Sequence, residues 1–309
     1  MKSKWIGLIA MLALSALPLA GDNYIVRLAT IMLMYSVLAL SWNFIGGLAG
    51  YPSFATASFF GLGAYAGALS QVQGVPMFMA WCIGGLAAAI FAWFLGLAIL
   101  HLKGHYFAIA SLIVAEVLRE IINSATEITG GGMGVNIPVL RMGVNEQAKL
   151  FYYSMFFIAV VTLVVSAYVK NRPLGFGLKC IKQNEDAANM IGINATIFKT
   201  IAFTLSAIFT GCAGAFYASW MNYIDPEDVF EILISVKPIV MVLLGGVGTL
   251  IGPVIGAAIF LFLEELVWRS FLTFHAGVLG LVVVSLVLFL PNGLLSLDFR
   301  KLFSWRTNR

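Results

Sequence analysis

The side chains best suited to chemistry are few and scattered. Three histidines, His101, His105 and His275, and three cysteines, Cys82, Cys180 and Cys212, occur in 309 residues. The cysteines lack the close pairing that holds a structural zinc or a disulfide framework, and they read as buried or incidental thiols. His101 and His105 flank Lys103 at a boundary between apolar and polar sequence, as interfacial residues do. The chain has no G-x-x-x-x-G-K-[ST] phosphate loop, no H-E-x-x-H and no C-x-x-C, and so few histidines support no Ser/His/Asp arrangement. No catalytic residue and no metal site is expected. What remains is charge in unusual surroundings. Glu116, Arg119 and Glu120 fall near one end of an apolar stretch, where Glu116 neighbours the other two on a helix surface. They read as a structural ion pair near the interface, with a gating or ligand role as the alternative. Lys237, beside Pro238, could end a half-helix or snorkel outward.

The longest polar stretch, NRPLGFGLKCIKQNEDAANMIGINATIFK from Asn171 to Lys199, lies between two strongly apolar segments. With Lys170 it carries five of the 18 basic residues, which places it on the cytoplasmic side by the positive-inside bias. Within it, Asn184 can cap a short helix whose first turn holds Glu185 and Asp186, and Gly192 can end it. Such a helix carries Ala187, Met190 and Ile191 on one side, with Ala188 and Asn189 between them. That ridge suits either docking in a partner's groove or a plain connector.

Positioning these residues falls to apolar elements. The chain is 61% hydrophobic and 10% charged with a mean hydropathy of +0.97, well outside the range of water-soluble domains. It reads as an all-α polytopic membrane protein, one transmembrane domain over residues 1–309. Its net charge of +4 is a topology signal and not a nucleic-acid signal. Ten apolar segments are expected, at about 5–20, 24–45, 51–70, 77–100, 105–123, 151–169, 199–221, 230–245, 249–268 and 276–291. Lys2 and Lys4 before Trp5–Ala20 resemble a secretory signal, but Pro18 stands where a small residue would be wanted, so a retained first span is favoured. With the N-terminus inside, the loop at 101–103, the polar stretch 170–198 and the tail 297–309 are cytoplasmic. Residues 124–150 and the acidic turn 225–228 are then exterior.

Two stretches are rich in glycine and proline. One runs through Gly46, Gly47, Gly50 and Pro52 to Gly61, Gly63 and Gly67; the other through Pro238, Gly245, Gly246, Gly248, Gly252, Pro253 and Gly256. Spacings of four at Gly63/Gly67 and Gly248/Gly252/Gly256 let helix backbones approach closely in lipid. Broken helices, by contrast, are tolerated only where protein or a watery cavity covers their backbone. These glycines are candidates either for a path through the protein or for tight helix packing.

Four blocks together resemble a known family: GGLAGYPSFATASFFGLGAYAGAL at 46–69, LKGHYFAIASLIVAEVLRE at 102–120 with TGGGMGV at 129–135, RPLGFGLKCIKQNEDAANMIGIN at 172–194, and LLGGVGTLIGPVIGAA at 243–258. The chain is similar, nearly end to end, to permease subunits of branched-chain amino-acid ABC importers of the LivM type. The resemblance implies about ten transmembrane helices in an ABC importer permease fold like that of the vitamin B12 importer (type II). It also implies a second, related permease, two cytoplasmic ATPase subunits that carry ATP and Mg, a periplasmic amino-acid-binding protein, and a place in the bacterial inner membrane. The helix at 184–192 then looks like the element that couples to the ATPase. Tyr51-Pro52-Ser53-Phe54-Ala55-Thr56 and Asn171-Arg172-Pro173 depart from the family's usual pattern without threatening the fold. Two alternatives stay open: an ABC permease for urea, short amides or another small solute, and an ion-coupled secondary transporter.

Overall fold

The computed structural model describes residues 22–270, together with Pro18, Gly277 and Gly280. The segments expected at 5–20 and 276–291, and the tail 297–309, lie outside the described residues, as does His275. Within them the chain is almost wholly helical: α1 (Asn23–Trp42) continuing into a π-helical turn (Asn43–Leu48), α2 (Thr56–Val72), α3 (Met77–Ile99), α4 (His105–Ser124), α5 (Thr126–Thr129), α6 (Val144–Lys170), α7 (Pro173–Gln183), α8 (Glu185–Met190), α9 (Ala195–Met221), α10 (Pro226–Val229), α11 (Ile232–Gly245) and α12 (Gly252–Ser270). The expectation of an all-α chain needs one small correction. Val135–Asn136 (β1) and Tyr223–Ile224 (β2) pair antiparallel, Val135 opposite Ile224, and tie the loop after α5 to the end of α9.

Among the described residues, four helices are long and apolar enough to cross a membrane: α1 with its π-helical turn, α3, α6 and α9. They divide into two kinds. In α1 and α9, 67% of the apolar window is buried inside the protein, against 33% in α3 and 28% in α6. The first pair therefore forms the interior, and the second turns most of its apolar surface outward. On α3 the exposed residues Leu86, Ile90, Phe94 and Leu97 recur at helical spacing along one stripe, an arrangement that fits contact with hydrocarbon and not water.

α9 is the central post. It packs against α2 and α3, which also pack on each other, while α1 packs on α6 and α12, and α12 on α11. Close packing on α9 depends on small residues. A Cβ on Gly63 would collide with the backbone of Gly211, and one on Gly67 with Ala215, so α2 and α9 meet where neither carries bulk. At 14 residues, α11 rises only about 21 Å, short of the ~30 Å hydrocarbon core. It is completed at either end by irregular backbone, which needs partners inside the protein.

Several boundaries differ from those read off hydropathy. The segment expected at 51–70 becomes helical only at Thr56, and residues 51–55 run non-helically through the interior. α6 begins at Val144 and not near 151, because Asn145, Glu146 and Gln147 extend the helix beyond its apolar part. α9 begins at Ala195, where Asn194 caps it by accepting the Ile197 N–H at 3.1 Å. Gly248 lies in the turn before α12, so the expected small-residue stripe of three reduces to Gly252 and Gly256 on one helix.

Candidate functional site

The polar stretch folds into two short helices lying at one end of the spans. Pro173 occupies the first turn of α7, where its missing N–H costs nothing. Asn184 then breaks the chain into extended conformation and caps α8, its side-chain oxygen accepting the Ala187 N–H at 3.0 Å. Gly192 takes a φ of +89° just after α8, the left-handed conformation that lets the chain turn into α9. Asn189 turns back to accept the N–H of Ala195 at 3.1 Å, and Ala188 is the buried residue of α8. The expected ridge faces out: Ala187 is exposed, Met190 is 87% exposed and Ile191 72%. The helix of α7 itself was not anticipated from sequence.

Lys182 and Lys199 fasten this polar assembly to the spans, and Lys170 joins two span ends. Lys170 donates to the carbonyl of Gly248 and Lys182 to the carbonyl of Gly47, each at 3.0 Å. These are carbonyls released where a helix gives way to irregular backbone. The two glycine-rich stretches that look alike in sequence thus meet in space, with Gly47 and Gly248 in backbone contact and Asn43 bridging them. Gly46 lies under the Trp42 indole and Gly61 under the Phe230 ring; Gly245 and Gly256 sit against the carbonyls of Gly252 and Met241. Gly50, Gly246 and Gly248 hold positive φ values of 76°, 124° and 73°. Gly46 and Gly61 let backbone approach a ring, and Gly245 and Gly256 let backbone approach backbone.

Lys199 makes the densest set of contacts. Its side chain is fully buried, and its ammonium donates to Glu185 Oε1 at 2.7 Å, to the Leu100 carbonyl at 2.7 Å and to the Tyr51 hydroxyl at 3.0 Å. The Tyr51 ring also lies 4.3 Å from that ammonium, and the Tyr51 hydroxyl bonds the other Glu185 oxygen. Burial alone would raise the Glu185 carboxyl, but the hydrogen bonds from Lys199 and Tyr51, with the charge of Lys199, outweigh it and hold it below the ordinary glutamate range. Next to it, Lys103 meets Asp186 at 3.0 Å, and that hydrogen bond and charge push the Lys103 ammonium up. Both partners of this second pair are well exposed, so it adds little to stability.

Side chains from three helices hold the non-helical run 51–55. Trp42 Nε1 donates to the Ser53 carbonyl at 2.7 Å, the Phe54 N–H to Ser111 Oγ at 2.9 Å, and Ser235 Oγ both donates to the Phe54 carbonyl at 2.6 Å and accepts the Ala57 N–H at 2.9 Å. α1, α4 and α11 each supply one of these side chains. On α4, Arg119 pairs with Glu116 on the exposed face as expected, and Glu120 is exposed one residue beyond. Lys237, given no chemistry from sequence, meets Glu264 of α12 at 2.8 Å beside a cavity of about 390 Å³ lined also by Arg27, Tyr35 and Trp220. Neither Glu264 nor Lys199 was singled out from sequence. The available signal for Glu264 was the acidic doublet Glu264-Glu265 inside an apolar helix; Lys199 stands at the start of its apolar segment, where a snorkelling lysine is ordinary.

Helices that turn apolar faces outward around an interior of α1 and α9, with a polar helical pair fastened at one end, are the arrangement of a polytopic membrane protein. A family model described as the branched-chain amino acid transport system / permease component matches residues 24–290, and the chain belongs to that family. It is 31% identical to the High-affinity branched-chain amino acid transport system permease protein LivM of Escherichia coli (strain K12), over 93% of this chain and 74% of that protein. It is also 21% identical to the permease protein LivH of that strain, over 84% of this chain and 91% of that one. A more partial likeness, 24% identity over 59% of this chain and 52% of the relative, is to the Autoinducer 2 import system permease protein LsrC of Enterobacter sp. (strain 638). No solved structure matches the chain.

Proposed function

We propose that this chain is the LivM-type permease subunit of an ATP-driven importer, carrying leucine, isoleucine, valine or similar apolar amino acids across the bacterial inner membrane. It pairs with a second permease, for which its likeness to LivH as well as to LivM is the support. Two cytoplasmic ATPase subunits hold ATP and Mg, and a periplasmic binding protein delivers the amino acid at the β1–β2 end. The fold is of the ten-helix, vitamin B12 importer type, with both termini inside.

One observation carries the coupling role: an exposed ridge of Ala187, Met190 and Ile191 on a capped helix that is tied to the ends of the spans through Glu185 to Lys199 and through Asp186 to Lys103. A partner that grips this ridge differently in its nucleotide-bound and free forms biases the spans between outward- and inward-open states. Replacing Met190 or Ala187 with aspartate is expected to abolish co-purification of the ATPase and uptake of leucine while leaving the protein in the membrane. Normal ATPase retention and normal uptake in such variants would remove the docking assignment. Dependence of uptake on the ATPase, and not on a proton or sodium gradient, separates this reading from an ion-coupled carrier. Competition by urea or short amides tests the cargo.

A further inference from the structure

We propose that Lys199 is a positioning residue for coupling, the pin through which tilting of α8 reaches the spans. The inference rests on α8 being the element that the ATPase moves. Lysine is almost never fully buried without a reason, and this one is fully buried with an acceptor for each of its three protons. The acceptors belong to three different parts of the chain. Glu185 opens α8, the Leu100 carbonyl closes α3, and Tyr51 starts the non-helical run that leads into α2; Lys199 itself lies in the second turn of α9.

α8 is six residues long, too short to hold its shape unaided. Its C-terminal end is fastened to α9 through Asn189 and Ala195, and its N-terminal end through Glu185 to Lys199 and Tyr51. A push on the exposed ridge between these two anchors therefore displaces the ammonium. Displacing the ammonium loads α2, α3 and α9 together, the three helices that pack most closely on one another. A stability device would not need this chemistry, since apolar groups of similar volume serve as well or better than a buried ion pair. A charge network with one mutually satisfied geometry does something different: it makes the position of α8 and the positions of three helix ends a single variable.

The test uses the assembled importer in proteoliposomes with leucine as cargo, reading leucine moved per ATP hydrolysed. The double variant Lys199→Met with Glu185→Gln removes both charges, so that neither is left buried alone. It is expected to keep the ATPase bound and hydrolysing, and to lower leucine per ATP by about tenfold, within the range of coupling between sites. Tyr51→Phe, which keeps the ring over the ammonium and loses only the hydroxyl, is expected to lower the same ratio by less. A purely structural role would lower the yield of complex and leave the ratio alone. An unchanged ratio in the double variant overturns the proposal; should that variant fail to assemble, an unchanged ratio in Tyr51→Phe overturns it. Met190→Asp keeps the two readings apart. If it retains the ATPase, the docking role of α8 fails; if it releases the ATPase while the double variant couples normally, only the role of Lys199 fails.

Discussion

The side-chain oxygen of Asn43 accepts the backbone N–H of Gly248 at 2.9 Å, joining residues 205 positions apart in the chain. The same side chain donates to the Thr249 carbonyl at 2.9 Å. One amide thus satisfies a donor and an acceptor in the turn between α11 and α12, from the π-helical end of α1. With Lys182 on the Gly47 carbonyl and Lys170 on that of Gly248, the irregular backbone at this end of the spans is closed off by side chains. A π-helical turn is a common way to redirect groups at a functional position, and here it points the Asn43 amide across at the facing turn.

Replacing Asn43 with leucine is expected to lower thermal stability of the detergent-purified protein, since each orphaned buried group costs about 1–3 kcal/mol. Gly143→Ala is the control. A Cβ there meets nothing closer than 3.9 Å and the φ is −61°, so its effect should stay within about 0.5 kcal/mol. Equal melting shifts in the two variants would show that the Asn43 bridge does not hold the turn.

The depressed Glu185 carboxyl makes attachment of α8 depend on pH in one direction. A carboxyl held below its unfolded value stabilises the fold fully above the ordinary glutamate range, and that contribution is lost as pH falls through the lowered value. The raised Lys103 ammonium acts at the other extreme: its contribution is complete below the ordinary lysine range and lost as pH rises through the raised value. Near neutrality neither changes. A fluorophore on Met190→Cys should therefore report constant anisotropy near neutral pH and rising mobility only in acid. Glu185→Gln should flatten that acid limb. A mobility change centred near neutral pH would contradict the arrangement.

Much of this was legible in the sequence where the cause is local. α3 and α4 begin at the residues expected, and the Asn184 cap, the acidic first turn and Gly192 all follow from rules that act over a few residues. Hydropathy located the apolar parts of α6 and α9 but missed the polar first turn of α6 and the Asn194-capped first turn of α9, because it senses hydrocarbon and not helix. What could not be read were partners far apart in the chain. Lys199 stood as the first residue of an apolar segment, and nothing in its neighbourhood distinguishes a snorkelling lysine from one aimed at Leu100 and Tyr51. The glycine spacing at 248, 252 and 256 suggested one stripe, whereas the turn required at Gly248 ends it early.

Lys237 and Glu264 form a pair that is only about a quarter exposed, 21% and 26%, between α11 and α12. Removing one member leaves a partly buried charge without its ion-pair partner, a loss of about 3–5 kcal/mol for fully buried pairs and less here because some solvent reaches it. Lys237→Met alone is therefore expected to destabilise more than Lys237→Met combined with Glu264→Gln. A double-mutant cycle on thermal unfolding checks it. Additive effects would mean that the two charges are stabilised separately, Lys237 for instance by the Tyr35 ring 5.6 Å away.

Ser235 offers the sharpest contrast between two serines that make hydrogen bonds of similar length. Its hydroxyl donates to Phe54 and accepts from Ala57, at the point where residues 51–55 pass through the interior and α2 begins. Ser70 also donates, to the Ala66 carbonyl at 2.7 Å, but that carbonyl lies within helix α2 and one turn back along it. Losing the Ser70 hydroxyl costs the backbone nothing it needs. Ser235→Ala is expected to cost about 1–3 kcal/mol and to speed amide exchange at residues 54–57, while Ser70→Ala should change stability by no more than about 0.5 kcal/mol. Comparable effects, or unchanged exchange at 54–57 in Ser235→Ala, would mean that water or a shifted backbone satisfies this run, and that the start of α2 is not held from α11.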